Sequence, residues 1–564
     1  MYIPRVVEFF RGSGVAVAAA LVLLEWTLAR VVSGHSPLTA LVWLAALALM
    51  IRATPGAAAQ RGAAQSARAR WWRLSVVLLP CLVRLANLRS DRIHGDDLIT
   101  AYFSSQYELG KTDFFSPVPP NADDWVCQFP APFFALQKLF FVLFGESLLT
   151  VKLSILPYVI VVCGFLYAIA RELLDERAAV LSVVLYAFFG PSVYLETLGL
   201  HFVSSTAVFL AFFYFSLREL REGAPRQALL AGMAAGACYL FYLSSFLALP
   251  VAGMFFVARG SPSRERHVGR NLALFLLGLT MVLAPFVLRA LHTPNALFRR
   301  FEQVSLIGGE WSLYADQIAN GATPIQIVCE NVWRSLESIV RSGIGGSGGY
   351  AFAKQPLLEP LSFALFVLGA LRAIALASAS IEWVLLLVTT ALFFLVNVGL
   401  SVPPPAFHRF SIGFPFLCLL LALPLHSLLA APWGGVAWRR TAVAATLAAF
   451  VCTQTWYARR AMIPESDFDE LRLARFLDDQ FPDRPLYVAA FPTYAFARFY
   501  HFARVSRDRP VTTDSHKTLL DSFDRRYKYV YVITLPAAFD AQFARRDPRG
   551  RFIHFSPQLS LFVN

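Results

Sequence analysis

Apolar runs of about 17–22 residues recur along most of this sequence, and that is the length an α-helix needs to cross a hydrocarbon core of roughly 30 Å. Hydrophobic residues make up 57% of the chain and charged residues only 15%, whereas an ordinary soluble domain has about 25% charged residues. The alternating segments of about ten residues that form transmembrane β-barrels are absent from the sequence. The sequence therefore predicts a polytopic α-helical membrane protein.

About thirteen transmembrane spans are predicted, several of which are short or contain glycine and proline. They cover residues 14–33, 36–51, 73–89, 148–170, 178–192, 203–217, 228–244, 246–258, 272–290, 357–373, 381–400, 410–430 and 441–458. The loops 52–73, 218–227, 259–271 and 438–440 are rich in arginine. All four fall on one side when the spans alternate, and because cytoplasmic loops carry the excess of positive charge, that side is the cytoplasm. The N-terminus is then cytoplasmic.

The same alternation places the long or unusual loops on the outer side of the membrane. These loops are residues 90–147, 193–202, 291–356 and 401–409. The net charge of +13 is explained by the cytoplasmic loops, and no basic patch with interleaved aromatic residues stands apart from them. We therefore exclude nucleic acid as a partner. The seven cysteines are scattered, mostly within apolar runs and without CxxC or metal spacing, so we interpret them as small core residues.

The last hundred residues differ from the rest because charged residues increase and the apolar runs shorten to strand length. Residues 485–491 and 527–535 are typical of buried strands, and residues 468–481 and 514–526 of amphipathic helices that begin at an Asp or Ser cap. Helices that alternate with strands predict a small α/β domain. Since the segment after residue 458 lies outside, this domain is predicted to be extracytoplasmic.

The stretch RSDRIHGDDLITAYFSS, residues 89–105, places the adjacent carboxylates Asp96 and Asp97 at the outer end of a predicted span. Charge at the edge of a membrane is costly, so it needs a partner or a task. One interpretation is a solvated loop start with a local ion pair between Asp91 and Arg92. The other rests on the apolar spacing of residues 98–110, which is typical of a helix along the membrane surface. Such a helix would hold a carboxylate beside a lipid-borne substrate.

At these residues the chain resembles the polyprenyl-phosphate-sugar-dependent glycosyltransferases of the GT-C superfamily. That group includes protein O-mannosyltransferases, lipid A aminoarabinose transferases and related lipopolysaccharide-core transferases. The resemblance lies in the acidic pair with Gly110 in register after it, in residues 129–191, in the glycine-rich stretch 228–250 and in HRFSIGFPFLCLLLA, residues 408–422. It extends over roughly residues 70–560. Asp97 occupies a position where the family often has Glu, which shortens one side chain.

The resemblance implies a membrane glycosyltransferase that moves a sugar from a polyprenyl-phosphate donor to an acceptor hydroxyl with inversion. Asp96 is then the general base, which a poorly nucleophilic hydroxyl needs, and Asp97 orients the acceptor or shares that role. Arg409 is the first candidate for the donor phosphate because its guanidinium fork suits phosphate oxygens, although it also suits a headgroup anchor. Lys354 is a second candidate. The acceptor is a glycan, a lipid or a protein, and the enzyme lies in the plasma (inner) membrane.

Several other polar residues of the outer loops are weaker candidates for the substrate site, and each is equally explained as a solvated or interfacial side chain. They are His94, Asp123, Asp124, Glu196 and His201. No ligand spacing among the acids and histidines is diagnostic of a metal, so no metal ligand is assigned and a divalent ion is left open as a cofactor. Residues 343–350, GIGGSGGY, suggest either a lid over the donor or a plain linker.

These observations predict four parts. They are a transmembrane hairpin at residues 1–51, a basic cytoplasmic linker at 52–72, a GT-C-like catalytic domain at 73–458 and the extracytoplasmic α/β domain at 459–564. A flippase or other transporter is an alternative, but it would be expected to show internal repeats with broken helices in matching positions. A glycan polymerase or ligase is another, although its large outer loop usually comes late in the chain. The sequence does not specify the sugar.

Overall fold

A computed structural model provides the structure of the chain. It describes residues 14–33, 37–54, 67–88, 95–109, 111–115, 132–259, 268–291, 303, 305–306, 314–342, 355–402, 405–432, 435–462, 469–489, 502, 511–514, 530–534, 545, 548–556 and 559–563. Helices dominate the described residues. The first thirteen are α1 Gly14–Ser33, α2 Pro37–Ala53, α3 Ala67–Asn87, α4 Gly95–Gln106, α5 Pro132–Phe144, α6 Leu148–Leu153, α7 Leu156–Leu173, α8 Glu176–Phe188, α9 Gly190–Glu196, α10 Phe202–Glu222, α11 Pro225–Cys238, α12 Ala248–Arg259 and α13 Val268–Ala290.

Seven further helices follow. They are α14 Ala315–Ala319, α15 Pro324–Glu337, α16 Pro360–Ala377, α17 Ile381–Phe393, α18 Phe414–Ala430, α19 Val436–Met462 and α20 Asp469–Gln480. A π-helical turn, Phe394–Gly399, extends α17, and a 3₁₀ segment, Phe407–Gly413, leads into α18. Each predicted span overlaps at least one helix. Within the described residues six helices are long and apolar enough to cross a membrane, or seven if one bent pair is a single span. The protein is thus a multi-pass membrane protein, and the predicted count of thirteen spans is not confirmed.

Ion pairs link the ends of several helices at one end of the bundle. Arg73 at the start of α3 pairs with Glu176 at the start of α8, with 2.9 Å between Nε and Oε1. Arg221 near the end of α10 lies 3.3 Å from Glu382 at the start of α17 and also contacts Glu172. These contacts bring together loops that the charge pattern assigns to one side of the membrane. The observed packing therefore agrees with the predicted alternation of the spans.

Two of the predicted spans are interrupted, and both predictions need correction. The span expected at 178–192 ends at Phe188, and α9 continues from it at an angle of 60°. The span expected at 228–244 ends at Cys238, and residues 239–247 form a turn before α12. Non-helical backbone within a membrane must find internal partners. Asn397 Nδ2 provides one by donating to the carbonyl of Ser244 at 3.0 Å.

The N-terminal hairpin of α1 and α2 packs against α11 and α13 through a shared apolar cluster. Trp43 Nε1 donates to the carbonyl of Met281 at 2.8 Å. The Trp43 ring also packs edge-on to Phe115 and Phe286, at centroid distances of 5.7 and 5.9 Å. Phe115 follows α4 in the chain, so the hairpin also contacts the segment that follows α4.

A five-stranded sheet forms the C-terminal domain, with β1 Leu486–Ala489, β2 Val511–Asp514, β3 Val530–Thr534, β4 Arg551–Ser556 and β5 Leu559–Val563. Its order is β2-β1-β3-β5-β4. The pairs of β1 with β2 and β3 are parallel, and the pairs of β5 with β3 and β4 are antiparallel. The predicted small α/β domain, the two predicted strands and the helix at 468–481 are therefore confirmed. Most of the helix predicted at 514–526 lies outside the described residues.

The C-terminal domain rests on the helix that begins with Asp96 and Asp97. Leu98 and Ala101 of α4 belong to one buried apolar cluster with Leu473 and Leu477 of α20. Phe141 of α5 adds a ring contact with Phe502 at 5.7 Å. The domain and the acidic helix consequently lie at the same end of the bundle.

Candidate active site

Asp96 and Asp97 occupy the first turn of α4. Asp97 is buried, with 2% of its surface exposed, whereas Asp96 is partly exposed. The N-terminus of a helix carries a partial positive charge and favours ionised carboxylates. The two carboxylates therefore lie at the positive end of α4.

Polar contacts hold α4 in place along its C-terminal half. Ser104 Oγ donates to Gln137 Oε1 at 2.6 Å, and Gln137 Nε2 donates to Ser154 Oγ at 3.0 Å. Lys138 Nζ donates to the carbonyl of Ser105 at 2.6 Å. Because α4 is fixed to α5 and to the turn before α7, the acidic pair has a defined position relative to the bundle.

A buried ion pair joins α3 to α9. The guanidinium of Arg84 is fully buried and donates through Nε to Glu196 Oε2 at 2.8 Å. The same guanidinium donates to Ser192 Oγ at 2.9 Å, and Tyr186 donates its phenolic hydrogen to the other oxygen of Glu196. Charges that leave water are tolerated when each is paired and hydrogen-bonded. The Glu196 carboxylate is therefore charge-compensated by the protein itself.

Arg409 is a second buried arginine, and its surroundings differ. It lies in the 3₁₀ segment before α18 with 4% of its surface exposed. Its Nη1 donates to the carbonyl of Val402 at 2.8 Å and its Nε donates to the hydroxyl of Tyr242 at 3.3 Å. Both acceptors are neutral, and within the described part of the chain Arg409 has no carboxylate partner. The site thus holds a desolvated positive charge that an anionic group would balance.

His201 packs against the tyrosine that contacts this arginine. Its ring centroid is 4.5 Å from that of Tyr242, the residue that accepts from Arg409 Nε. On its other side His201 packs edge-on to Phe133 of α5 at 6.0 Å. His408 packs against Phe202 at 5.4 Å. An aromatic layer therefore connects the arginine to the helix that supports α4.

The structure brings two of the predicted site residues together, because His201 and Arg409 both contact Tyr242. Asp96 and Asp97 lie at the same end of the bundle, and Glu196 faces Arg84. The predicted residues His94, Asp123, Asp124 and Lys354 lie outside the described residues, as does Gly110. The roles assigned to all of these residues stay predictions.

Arg84 and Tyr242 were not predicted to contribute to the site. A signal was available for Arg84, since an arginine inside a predicted span is expensive unless it has a partner or a function. No comparable signal exists for Tyr242, because a tyrosine is common in an aromatic-rich apolar run. The described residues contain no group of three or more His, Cys, Asp or Glu side chains arranged to hold a metal ion.

Comparisons with known proteins agree with this architecture. Residues 130–289 match the family model of dolichyl-phosphate-mannose-protein mannosyltransferases. The apo crystal structure of ArnT from Cupriavidus metallidurans is similar, with a TM-score of 0.51 and 12% sequence identity over 88% of this chain and 98% of ArnT. The chain has the GT-C fold. The resemblance to GT-C glycosyltransferases that the sequence indicated is thereby confirmed.

Two further structures are similar to this chain. ArnT from C. metallidurans bound to undecaprenyl phosphate has a TM-score of 0.48 and 13% identity, over 88% of this chain and 98% of that one. The other is the archaeal oligosaccharyltransferase AglB from Archaeoglobus fulgidus, in complex with an inhibitory peptide and a dolichol-phosphate. Its TM-score is 0.48 and its sequence identity is 14%, over 86% of this chain and 73% of AglB. No curated protein sequence matches the chain.

Proposed function

We propose that this protein is an inverting glycosyltransferase that transfers a sugar from a polyprenyl phosphate to an acceptor hydroxyl. The observation that carries the proposal is Arg409, a buried cation with only neutral acceptors within the described residues, at the end of the bundle where α4 begins with two carboxylates. A lipid phosphate supplies the anion that Arg409 lacks. The carboxylates supply the base that an acceptor hydroxyl needs.

The reaction is a single displacement. The acceptor oxygen attacks the anomeric carbon while the bond from that carbon to the phosphate oxygen breaks, which inverts the configuration. The hydroxyl proton passes to Asp96, and the departing electron pair leaves with the polyprenyl phosphate as a monoester. Arg409 offsets the charge that develops on this phosphate. Asp97, which is more deeply buried, orients the acceptor or shares the proton.

We further propose that the arginine-rich loops face the cytoplasm of a bacterial cell and that the site opens to the outer side of its inner membrane. The support is the loop charge pattern. The four-part division at residues 51, 72 and 458 belongs to the same proposal. The acceptor is a glycan, lipid or protein on that outer side, and Lys354 is a second cation for the donor phosphate. The match of residues 130–289 to the family model of dolichyl-phosphate-mannose-protein mannosyltransferases supports the lipid class of the donor.

Transfer from defined donors tests the proposal. The purified full-length protein is incubated with a panel of polyprenyl-phosphate sugars and an acceptor extract from a deletion strain, and release of polyprenyl phosphate is measured. One donor class is expected to be consumed with inversion at the anomeric carbon. If no donor in the panel is consumed while ArnT is active under the same conditions, the proposal is wrong. Donor that crosses the bilayer intact instead would support a flippase.

A further inference from the structure

Helix α15, in the outer loop before α16, presents three chemically different faces. Ile325, Cys329, Trp333 and Leu336 follow a spacing of four and three residues, so they lie on one side of the helix. All four are exposed, Ile325 by 75% and Trp333 by 68%. We call this set the apolar stripe.

The second face of α15 carries charged side chains whose positive and negative charges cancel. Glu330 pairs with Arg334 at 2.6 Å, and Glu337 pairs with Arg341. The third face is buried against the protein. Its Asn331 accepts a hydrogen bond from the hydroxyl of Tyr314 at 2.6 Å. Because two faces already have partners, only the apolar stripe is left to meet something outside the described chain.

The position of α15 indicates what covers the stripe. The amides of Leu357 and Leu358, just before the membrane helix α16, donate to the carbonyls of Ser338 and Ile339 at 3.2 and 2.8 Å. Val332 of α15 packs on Gly399 at the end of α17. The helix therefore sits level with the ends of two spans, at the depth of lipid headgroups. Leu395, in the π-helical turn that extends α17, is 41% exposed and is another apolar side chain at this end of the spans.

A Trp-containing apolar stripe flanked by charged pairs is typical of a helix that lies in the membrane interface. We propose that α15 docks its apolar stripe into the lipid leaflet on the Arg409 side of the membrane. Headgroups and upper acyl chains are then its partner, and the charged face of Glu330 and Arg334 points to water.

The same helix is mechanically linked to Arg409. Ile327, on the buried face of α15, shares a small apolar cluster with Leu306, Tyr314 and Val402. The carbonyl of Val402 accepts the hydrogen bond from Arg409 Nη1. Lipid docking on one side of α15 thus holds the loop that fixes the cation on the other side. This second step rests on the proposed function of Arg409, whereas the docking itself does not.

Spin labelling tests the docking without any enzyme assay. The full-length protein carrying Cys127→Ser and Cys452→Ser is labelled at the native Cys329 and placed in phosphatidylcholine nanodiscs. Collision with oxygen, which concentrates in lipid, is compared with collision with a water-soluble nickel chelate. The matched control moves the label by one residue to the charged face, as Cys329→Ser with Glu330→Cys.

We expect the Cys329 label to be accessible to oxygen and shielded from nickel, and the label at position 330 to be accessible to nickel. Equal access of nickel to both labels would show that the stripe faces water and would overturn the proposal. Shielding of Cys329 from both reagents would overturn it too, because protein would then cover the stripe. Each of these outcomes is independent of whether the protein transfers sugar.

A second measurement addresses the link to Arg409. Trp333→Glu is expected to weaken binding of a polyprenyl phosphate in nanodiscs about tenfold, while Glu330→Gln leaves it unchanged. Unchanged binding in Trp333→Glu, together with a lipid-exposed Cys329 label, would retain the docking and refute the link. Absence of lipid phosphate binding by the unmodified protein would instead contradict the proposed function.

Discussion

Arg84 and Arg409 lie at the same end of the bundle and are both buried, but only Arg84 has a carboxylate partner within the described part of the chain. Arg84 and Glu196 form a complete pair, so their charges serve the fold. Arg409 donates to a phenol and a carbonyl, which accept hydrogen bonds but do not neutralise its charge. The two arginines therefore predict opposite consequences for stability and activity.

We expect Arg84→Gln to destabilise the protein by about 3–5 kcal/mol, because it leaves the buried Glu196 carboxylate without its counter-charge. Arg409→Gln, the matched substitution, removes a charge that has no carboxylate partner within the described residues. The midpoint temperature of thermal unfolding should therefore be unchanged or higher. The same Arg409→Gln variant should lose about 100-fold or more in kcat/KM, since the departing phosphate loses its cation. Thermal unfolding in detergent and donor turnover measure the two effects. Equal destabilisation by the two substitutions would contradict this distinction.

The carboxylates of α4 give a second prediction. Asp96→Asn keeps the shape of the side chain but removes the base, so kcat should fall by about 100- to 10,000-fold with little change in donor affinity. Asp97→Asn tests how the two acids divide the work. If Asp97 orients the acceptor, its variant should raise the acceptor KM more than it lowers kcat. Normal turnover in Asp96→Asn, with the protein folded, would remove Asp96 from the proposed role.

The sequence was sufficient to predict the helices because burial in a membrane requires long apolar runs, and these runs are visible locally. It was not sufficient to predict the breaks at residues 189 and 239–247. The apolar composition continues through both breaks, and their backbone groups are satisfied from far along the chain. Gln454 Oε1 accepts from the amide of Gly190 at 2.6 Å across 264 residues.

The candidate site was predictable to a similar degree. The acidic pair was noticed because it follows a predicted span directly, and Arg409 was named because it opens a late span at the position that the GT-C resemblance indicates. The pairing of Arg84 with Glu196, across 112 residues, depends on how α3 packs against α9. A local pattern contains no information about that packing, so Glu196 could be named only as a weak candidate for the substrate site, and its ion pair with Arg84 was not predicted.

The contact between the C-terminal domain and α4 gives a third prediction. Leu477 is fully buried in the cluster that includes Leu98 and Ala101, so Leu477→Ala leaves a cavity directly behind the acidic turn. Such a substitution lowers the stability of the surrounding packing by about 2–5 kcal/mol. We expect kcat to fall while donor affinity is kept, because Arg409 does not belong to this apolar cluster. The measurement is kcat against donor Kd in the purified variant.

Phe552→Ala serves as the control for Leu477→Ala. Phe552 packs on Phe562 within the sheet at 4.8 Å and does not belong to the cluster at α4. Phe552→Ala should lower the stability of the C-terminal domain without lowering the rate of sugar transfer. If both variants reduce kcat equally, the domain affects activity through its overall stability and not through its contact with α4.

The packing of α11 against α13 gives the last prediction. Gly232 lies so close to the backbone of Phe275 that a Cβ would fall inside van der Waals contact with its carbonyl, and Gly278 approaches Leu229 in the same way. Small residues at such positions let membrane helices approach closely. Gly232→Ala must push the helices apart, and we expect the free energy of unfolding to fall by about 1–3 kcal/mol, which is typical of overpacking.

Gly253→Ala is the control. Gly253 in α12 has nothing within 4 Å of its Cβ position, so this substitution should stabilise the protein by about 0.5–1 kcal/mol through helix propensity. Thermal unfolding of the two variants should therefore shift in opposite directions, and a stabilising Gly232→Ala would show that α11 and α13 are not in the close contact described above.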